Sequence, residues 1–142
     1  MRIIKSVLAI ISGIIAGSII NAGIIFVFIA IFGAPEGMDL LDEESVKAYA
    51  DKLTTANFVG TLLAHQLGTL VGAIVAAKIA PVHKMIFSIG IGVWFLFGGI
   101  YASTLISAPT WFIITDFALY IPFAFIGGKL GVGRSNATTT NI

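Results

Sequence analysis

Two residues within strongly apolar parts of the chain could carry chemistry, His65 and Asp116. His65 lies in a run without Asp, Glu, Lys or Arg at residues 53–77, and Asp116 is the only charged residue at 85–128. Because a histidine beside an acid can change its charge near neutral pH, the pair could bind a proton or a small polar solute. It could equally be a structural hydrogen bond that fixes the register of two packed helices.

The same residues complete no familiar catalytic or metal-binding pattern. The chain has no cysteine, and His65 belongs to no Glu-x-x-His or His-Glu-x-x-His sequence. No serine stands at a recognisable spacing from it, and the apolar runs hold no second carboxylate. We therefore predict no catalytic residue, no metal site, no cofactor and no enzymatic activity.

Apolar length predicts four membrane-spanning helices. Of the 142 residues, 58% are hydrophobic and 11% charged, which is far more apolar than a soluble protein. A helix rises about 1.5 Å per residue and needs roughly 20 residues to cross a bilayer. The runs at 7–33 and 53–77 suffice for one helix each, and 85–128 for two helices with a turn at Pro109. The predicted fold is all-α, an antiparallel bundle of four transmembrane helices.

The predicted domain organisation is one transmembrane domain at 1–133 and a disordered cytoplasmic tail at 134–142. The tail is rich in Thr and Asn and lacks apolar periodicity. The first apolar segment is far longer than the core of a signal peptide, so we interpret it as a true helix. The helices are expected at about 6–33, 54–79, 85–107 and 110–131, with an acidic loop at 34–53.

The acidic loop is predicted to contain a short amphipathic helix. Asp42 suits an N-cap position, and Val46, Tyr49 and Leu53 recur at helical spacing. This helix either connects two spans at the membrane surface or acts as a lid or docking site.

The basic residues predict the orientation. They cluster at one membrane face, whereas the segment at 34–55 holds six acidic residues and two lysines. By the positive-inside rule both termini are cytoplasmic and the acidic loop is outside. These positions fit contact with the lipid bilayer, and we predict no nucleic-acid partner. The basic residues at the cytoplasmic face are Arg2, Lys5, Lys78, Lys84, Lys129 and Arg134.

Small residues recur at intervals of four on the first two long helices. In a bilayer such residues let helix backbones approach closely. The stripes either join helices of one chain or face a second chain, so a homo-oligomer or a membrane complex partner stays open. The residues are Gly13, Gly17, Gly60, Ala64, Gly68 and Gly72.

Polar side chains of all four helices are expected in the outer half of the membrane. Counted from the outer helix ends at about 1.5 Å per residue, Asn21 lies roughly 18 Å deep, His65 roughly 15 Å and Asp116 roughly 9 Å. Gln66 is turned about 100° from His65 and is expected to point elsewhere. The predicted cluster, either binding or structural, is Asn21, His65, Tyr101, Asp116 and Tyr120.

Four short stretches carry a resemblance to a known group of proteins. They are Pro35-x-Gly-x-Asp39, Ala64-His65-x-Leu-Gly68, Pro109-Thr-Trp-Phe112 with Asp116, and Tyr120-Ile-Pro122 followed by Gly127-Gly-Lys-Leu130. In these stretches the chain resembles an uncharacterised bacterial family of small four-helix integral membrane proteins. The resemblance implies the topology and a bacterial cytoplasmic (inner) membrane, and it implies no mechanism.

Two functional hypotheses follow. In the first, this multi-pass protein is not an enzyme and acts through oligomerisation or as an accessory subunit. In the second, it is a small proton- or solute-coupled transporter or channel that uses an outward-facing cluster around His65 and Asp116. The two differ in whether a water-accessible cavity reaches His65.

Overall fold

The computed structural model describes residues 1–133, and these residues form five α-helices and no strand. Four of the helices are long and apolar enough to cross a membrane, as the sequence predicts. The predicted tail at 134–142 lies outside the described residues. The helices are α1 (Arg2–Phe32), α2 (Glu43–Ala48), α3 (Thr55–Ile79), α4 (Lys84–Leu105) and α5 (Thr110–Val132), with a 3₁₀ turn (Ala50–Lys52) before α3.

Two helix boundaries differ from the expected ones. The first long helix begins at Arg2 rather than near residue 6, because a basic side chain can keep its charged end in water while its stem covers apolar surface. The fourth helix, α4, ends at Leu105 rather than near residue 107. In its last turn the Ser103 and Thr104 hydroxyls donate to main-chain carbonyls three residues earlier, and such bonds compete with the helical pattern.

The connection between α1 and α3 contains the predicted short helix. The side chain of Asp42 caps α2 by accepting from the Glu44 main-chain N–H at 3.3 Å. The helix α2 ends at Ala48, earlier than the sequence pattern suggests, and the 3₁₀ turn follows it. Asn57, in the first turn of α3, donates to the Gly33 carbonyl at 3.0 Å. This bond ties the end of α1 to the start of α3.

The central helix is α3, which contacts α1, α4 and α5. In its most apolar stretch 44% of the residues are buried, against 6% for α1. Glycines of neighbouring helices lie directly against the backbone of α3. A Cβ on Gly127 of α5, for example, would lie 2.6 Å from the Leu70 carbonyl oxygen. The core of the described chain therefore lies along α3.

The small-residue stripes of α1 and α3 face each other within this chain. A Cβ on Gly17 would lie 2.7 Å from the Gly68 carbonyl oxygen, and a Cβ on Gly13 would lie 2.9 Å from that of Gly72. Gly60 receives the ring of Phe28. Backbone contact of this kind leaves no room for a side chain, so the glycines set the distance between α1 and α3.

Replacement of Gly17 by Ala is expected to destabilise the fold by about 1–3 kcal/mol, because the new methyl group meets main-chain atoms that cannot move independently. Gly23→Ala on the same helix is the matched control, since no atom lies within 4 Å of a Cβ at that position. Thermal unfolding in detergent, followed by circular dichroism, measures both. Equal stability of the two variants would contradict the close packing of α1 on α3.

Candidate functional site

Asp116 on α5 is fully buried, and its carboxylate is surrounded by hydrogen-bond donors. His65 Nδ1 lies 3.1 Å from Oδ1 and 2.9 Å from Oδ2. Gln66 Nε2 donates to Oδ1 at 2.9 Å, and the Tyr120 hydroxyl donates to Oδ2 at 3.2 Å. Both carboxylate oxygens are thus satisfied away from water, an arrangement that stabilises an ionised acid. We call these four residues the Asp116 cluster.

Gln66 is an unexpected member of the Asp116 cluster. Its side chain is 2% exposed, and Nε2 donates to the Asp116 main-chain carbonyl at 3.2 Å as well as to the carboxylate. The expectation that Gln66 points elsewhere is therefore wrong. Since α3 is packed on several sides, a residue turned by about 100° from His65 still faces another helix rather than lipid.

The ring of His65 is held in one orientation by its neighbours. It lies between the rings of Phe112 and Tyr120, with centroid distances of 6.4 and 5.9 Å. Because Nδ1 faces the Asp116 carboxylate, it carries the hydrogen in that bond, and Nε2 is then the accepting nitrogen of the neutral ring. Nε2 makes no hydrogen bond within residues 1–133 and is not among the atoms fully enclosed without a partner.

A cavity of about 320 Å³ adjoins His65. It lies between α1, α3 and α4, and residues of the connection between α1 and α3 also line it. Small-molecule sites in proteins commonly have volumes of about 300–1,000 Å³ and mostly apolar walls, and this cavity has both properties. A second cavity of about 280 Å³, between α1 and α4, is lined by apolar side chains and Gly90. The polar residues of the first cavity are Asn21, Asn57, Thr61 and His65.

Asn21 borders the same cavity as His65 without joining the Asp116 cluster. Its Cβ would lie 3.0 Å from a Cβ at Gly68 of α3. Its side-chain Oδ1 is buried and has no hydrogen-bond partner within the described residues. Of the predicted cluster, the structure therefore joins His65, Asp116 and Tyr120 by hydrogen bonds and places Asn21 in the cavity wall.

Tyr101 is not brought to the cluster. Its hydroxyl donates to both carboxylate oxygens of Glu43, each at 2.9 Å, and more than half of the residue is exposed. Glu43 also lies 3.8 Å from Lys47. Tyr101 thus fastens α2, part of the connection that lines the cavity, to α4. A depth estimate for a single helix could not show this, because it omits the loop that folds back over the helix ends.

The arrangement can move a proton or bind a solute by hydrogen bonds. Within residues 1–133 no group of three or more His, Asp or Glu side chains could hold a metal ion. No family model, curated protein or solved structure matches the chain. What the site does must therefore be inferred from its own geometry.

Asp116→Asn is expected to destabilise the protein by at least about 2 kcal/mol. An asparagine offers one acceptor oxygen in place of two, so His65, Gln66 and Tyr120 cannot all keep donating to it and the buried hydrogen bonds must rearrange. The matched control is Asp51→Asn, the same change at an exposed position of the 3₁₀ turn. Unfolding midpoints in detergent give the comparison, and a loss no larger than that of Asp51→Asn would show that Asp116 does not organise the cluster.

Proposed function

We propose that this protein is a non-enzymatic transporter or channel that admits a small solute to the cavity beside His65 and couples its binding to a proton. The observation that carries the proposal is that His65 borders the cavity and also contacts the buried carboxylate of Asp116. A change of charge on His65 therefore alters the electrostatic potential both in the cavity and at the Asp116 carboxylate. A merely structural pair would require no space next to it.

The proposed setting is the cytoplasmic membrane of a bacterium, with α1, α3, α4 and α5 as an antiparallel four-helix bundle. The termini and the turn between α3 and α4 lie on the cytoplasmic side, and the cavity opens at the outer side. Support comes from the basic residues near one set of helix ends and the acidic connection at the other. The resemblance to small bacterial four-helix membrane proteins favours the same topology.

Protonation provides the coupling. A neutral His65 leaves the negative charge of Asp116 balanced only by neutral donors. A proton added at Nε2 turns the same contact into an ion pair, which is far stronger in a low-dielectric interior than in water. Any solute whose binding depends on Nε2 as an acceptor then responds to pH.

The second candidate is a protein that acts through oligomerisation or as an accessory subunit. The stripes on α1 and α3 give this hypothesis little support, because they contact one another. Gly90 and Gly98 of α4 favour it, since no atom lies within 4 Å of a Cβ at either position. Open glycines on one helix face allow a further helix to approach closely.

Water access to the cavity can be measured directly because the chain has no cysteine of its own. Thr61→Cys, in the cavity wall, is expected to react with a charged, membrane-impermeant thiosulfonate added from outside. A thiol reacts as the thiolate, which forms where water reaches it. The measurement is the labelled fraction over time in intact cells.

Val59→Cys is the matched control, because Val59 lies two residues away on the same helix. The side chain is 39% exposed on the surface of the helix bundle, where lipid is expected. It should stay unlabelled until the membrane is dissolved. Equal labelling of both positions, or of neither, would count against a water-filled cavity that opens to the outside.

A further inference from the structure

The polar atoms that the cavity offers to a solute are mainly acceptors. The Thr61 hydroxyl uses its hydrogen in a 2.9 Å bond to the Asn57 carbonyl, so only its lone pairs remain. His65 Nε2 is an acceptor because Nδ1 donates to Asp116. Asn21 Oδ1 is enclosed by protein atoms, so it is not one of the acceptors open to the cavity.

The fourth polar residue of the wall, Asn57, is occupied by its own neighbours. Its Oδ1 accepts from the main-chain nitrogen and the hydroxyl of Thr54, at 2.9 and 2.8 Å. Its Nδ2 donates to the Gly33 carbonyl at 3.0 Å. In the lining the remaining side-chain donor is therefore the Nδ2 group of Asn21, against two acceptors, His65 Nε2 and the Thr61 hydroxyl oxygen.

The charges near the cavity act in the same direction. No Lys or Arg lines it, and the carboxylate of Asp116 lies directly behind His65. The titratable groups that face His65 are Asp116 and Tyr120, both from α5. The cavity-lining residues of α1, α4 and the connection to α3 include no titratable side chain. With His65 neutral, the site is negative in a medium of low dielectric constant and attracts a cation.

We propose that the solute is a small organic amine in its protonated form, with an apolar body, and that this amine and a proton on His65 exclude each other. The inference rests on the proposed function and specifies its substrate class. The ammonium group donates to Nε2 of His65. The body contacts apolar wall residues such as Ile25, Phe28 and Leu105.

Mutual exclusion follows from the two roles of Nε2. When Nε2 is unprotonated, it accepts a hydrogen bond from the ammonium group. When it is protonated, it is a donor with a positive charge, and it repels the amine. Binding of the amine to protonated protein therefore releases the proton from Nε2 to water, and proton uptake expels the amine.

Calorimetric titration of the full-length protein in lipid nanodiscs tests the substrate class with three probes of similar shape. They are 2-phenylethylamine as the cation, 2-phenylethanol as the neutral analogue and phenylacetate as the anion, with empty nanodiscs as the blank. At pH 8 we expect the amine to bind at least about tenfold more tightly than the alcohol, and phenylacetate not to bind.

The pH dependence tests the exclusion. As the pH is lowered and His65 takes up a proton, affinity for the amine should fall by up to about tenfold per pH unit, the limit for one released proton. The heat should vary with the ionisation enthalpy of the buffer for the same reason. His65→Asn should remove both effects, whereas His83→Asn, the same change at the other histidine, should keep them.

The outcomes separate this inference from the proposed function. If the alcohol or phenylacetate binds as tightly as the amine, the proposed substrate class is wrong. The same conclusion follows if no probe binds although Thr61→Cys is labelled from outside. In both cases the proposal of a water-accessible cavity is unaffected. If amine binding is independent of pH in the wild-type protein, the exclusion is wrong. If no probe binds and Thr61→Cys is not labelled, both proposals fail.

Discussion

The buried carboxylate of Asp116 is the constraint on which the rest of the structure depends. An acid at the centre of a membrane helix costs about 2.5–3.5 kcal/mol on insertion scales unless protein groups take the place of water. Here the donors come from α3 and from one turn further along α5. They reach the carboxylate only if α3 and α5 pack closely, and glycines on α5 that contact the α3 backbone allow this. The small residues thus serve the polar site as well as the packing.

The same close packing explains why a cavity occurs on the other side of His65. Gly13 and Gly17 bring the first half of α1 against the second half of α3. Towards the other end, the ring of Phe28 lies over Gly60, and the space between α1, α3 and α4 is lined also by the connection to α3. Tyr101 and Glu43 fasten α2 to α4 near this space. Where a ring rather than a second glycine meets α3, the two backbones do not touch, and the cavity beside His65 lies at this end of the helix pair.

How far the sequence predicts this arrangement depends on the kind of information each feature needs. Apolar length suffices for the four long helices, and depth along each helix suffices for the contact between His65 and Asp116. The role of Gln66 could not be predicted, because periodicity gives the angle between two side chains but not which faces of a helix are covered. Depth alone assigns Tyr101 to the polar cluster. Its partner Glu43, however, lies in a surface segment whose path depends on tertiary contacts. Depth and face within each helix can therefore be predicted, whereas the covering of a second helix face and the path of a surface segment cannot.

Two buried oxygens without partners show how the site divides into structure and function. Gln66 Oε1 faces away from Asp116 because Nε2 must face the carboxylate, so the unsatisfied atom is a consequence of holding the acid. Reversing the amide would place an oxygen against the carboxylate and weaken the cluster. Asn21 Oδ1 is enclosed as well, so it offers the cavity no acceptor although Asn21 is part of the wall. An unpaired buried acceptor costs about 1–3 kcal/mol. Both oxygens therefore belong to the cost of building the site, whereas the nitrogen left for the proposed solute is Nε2 of His65.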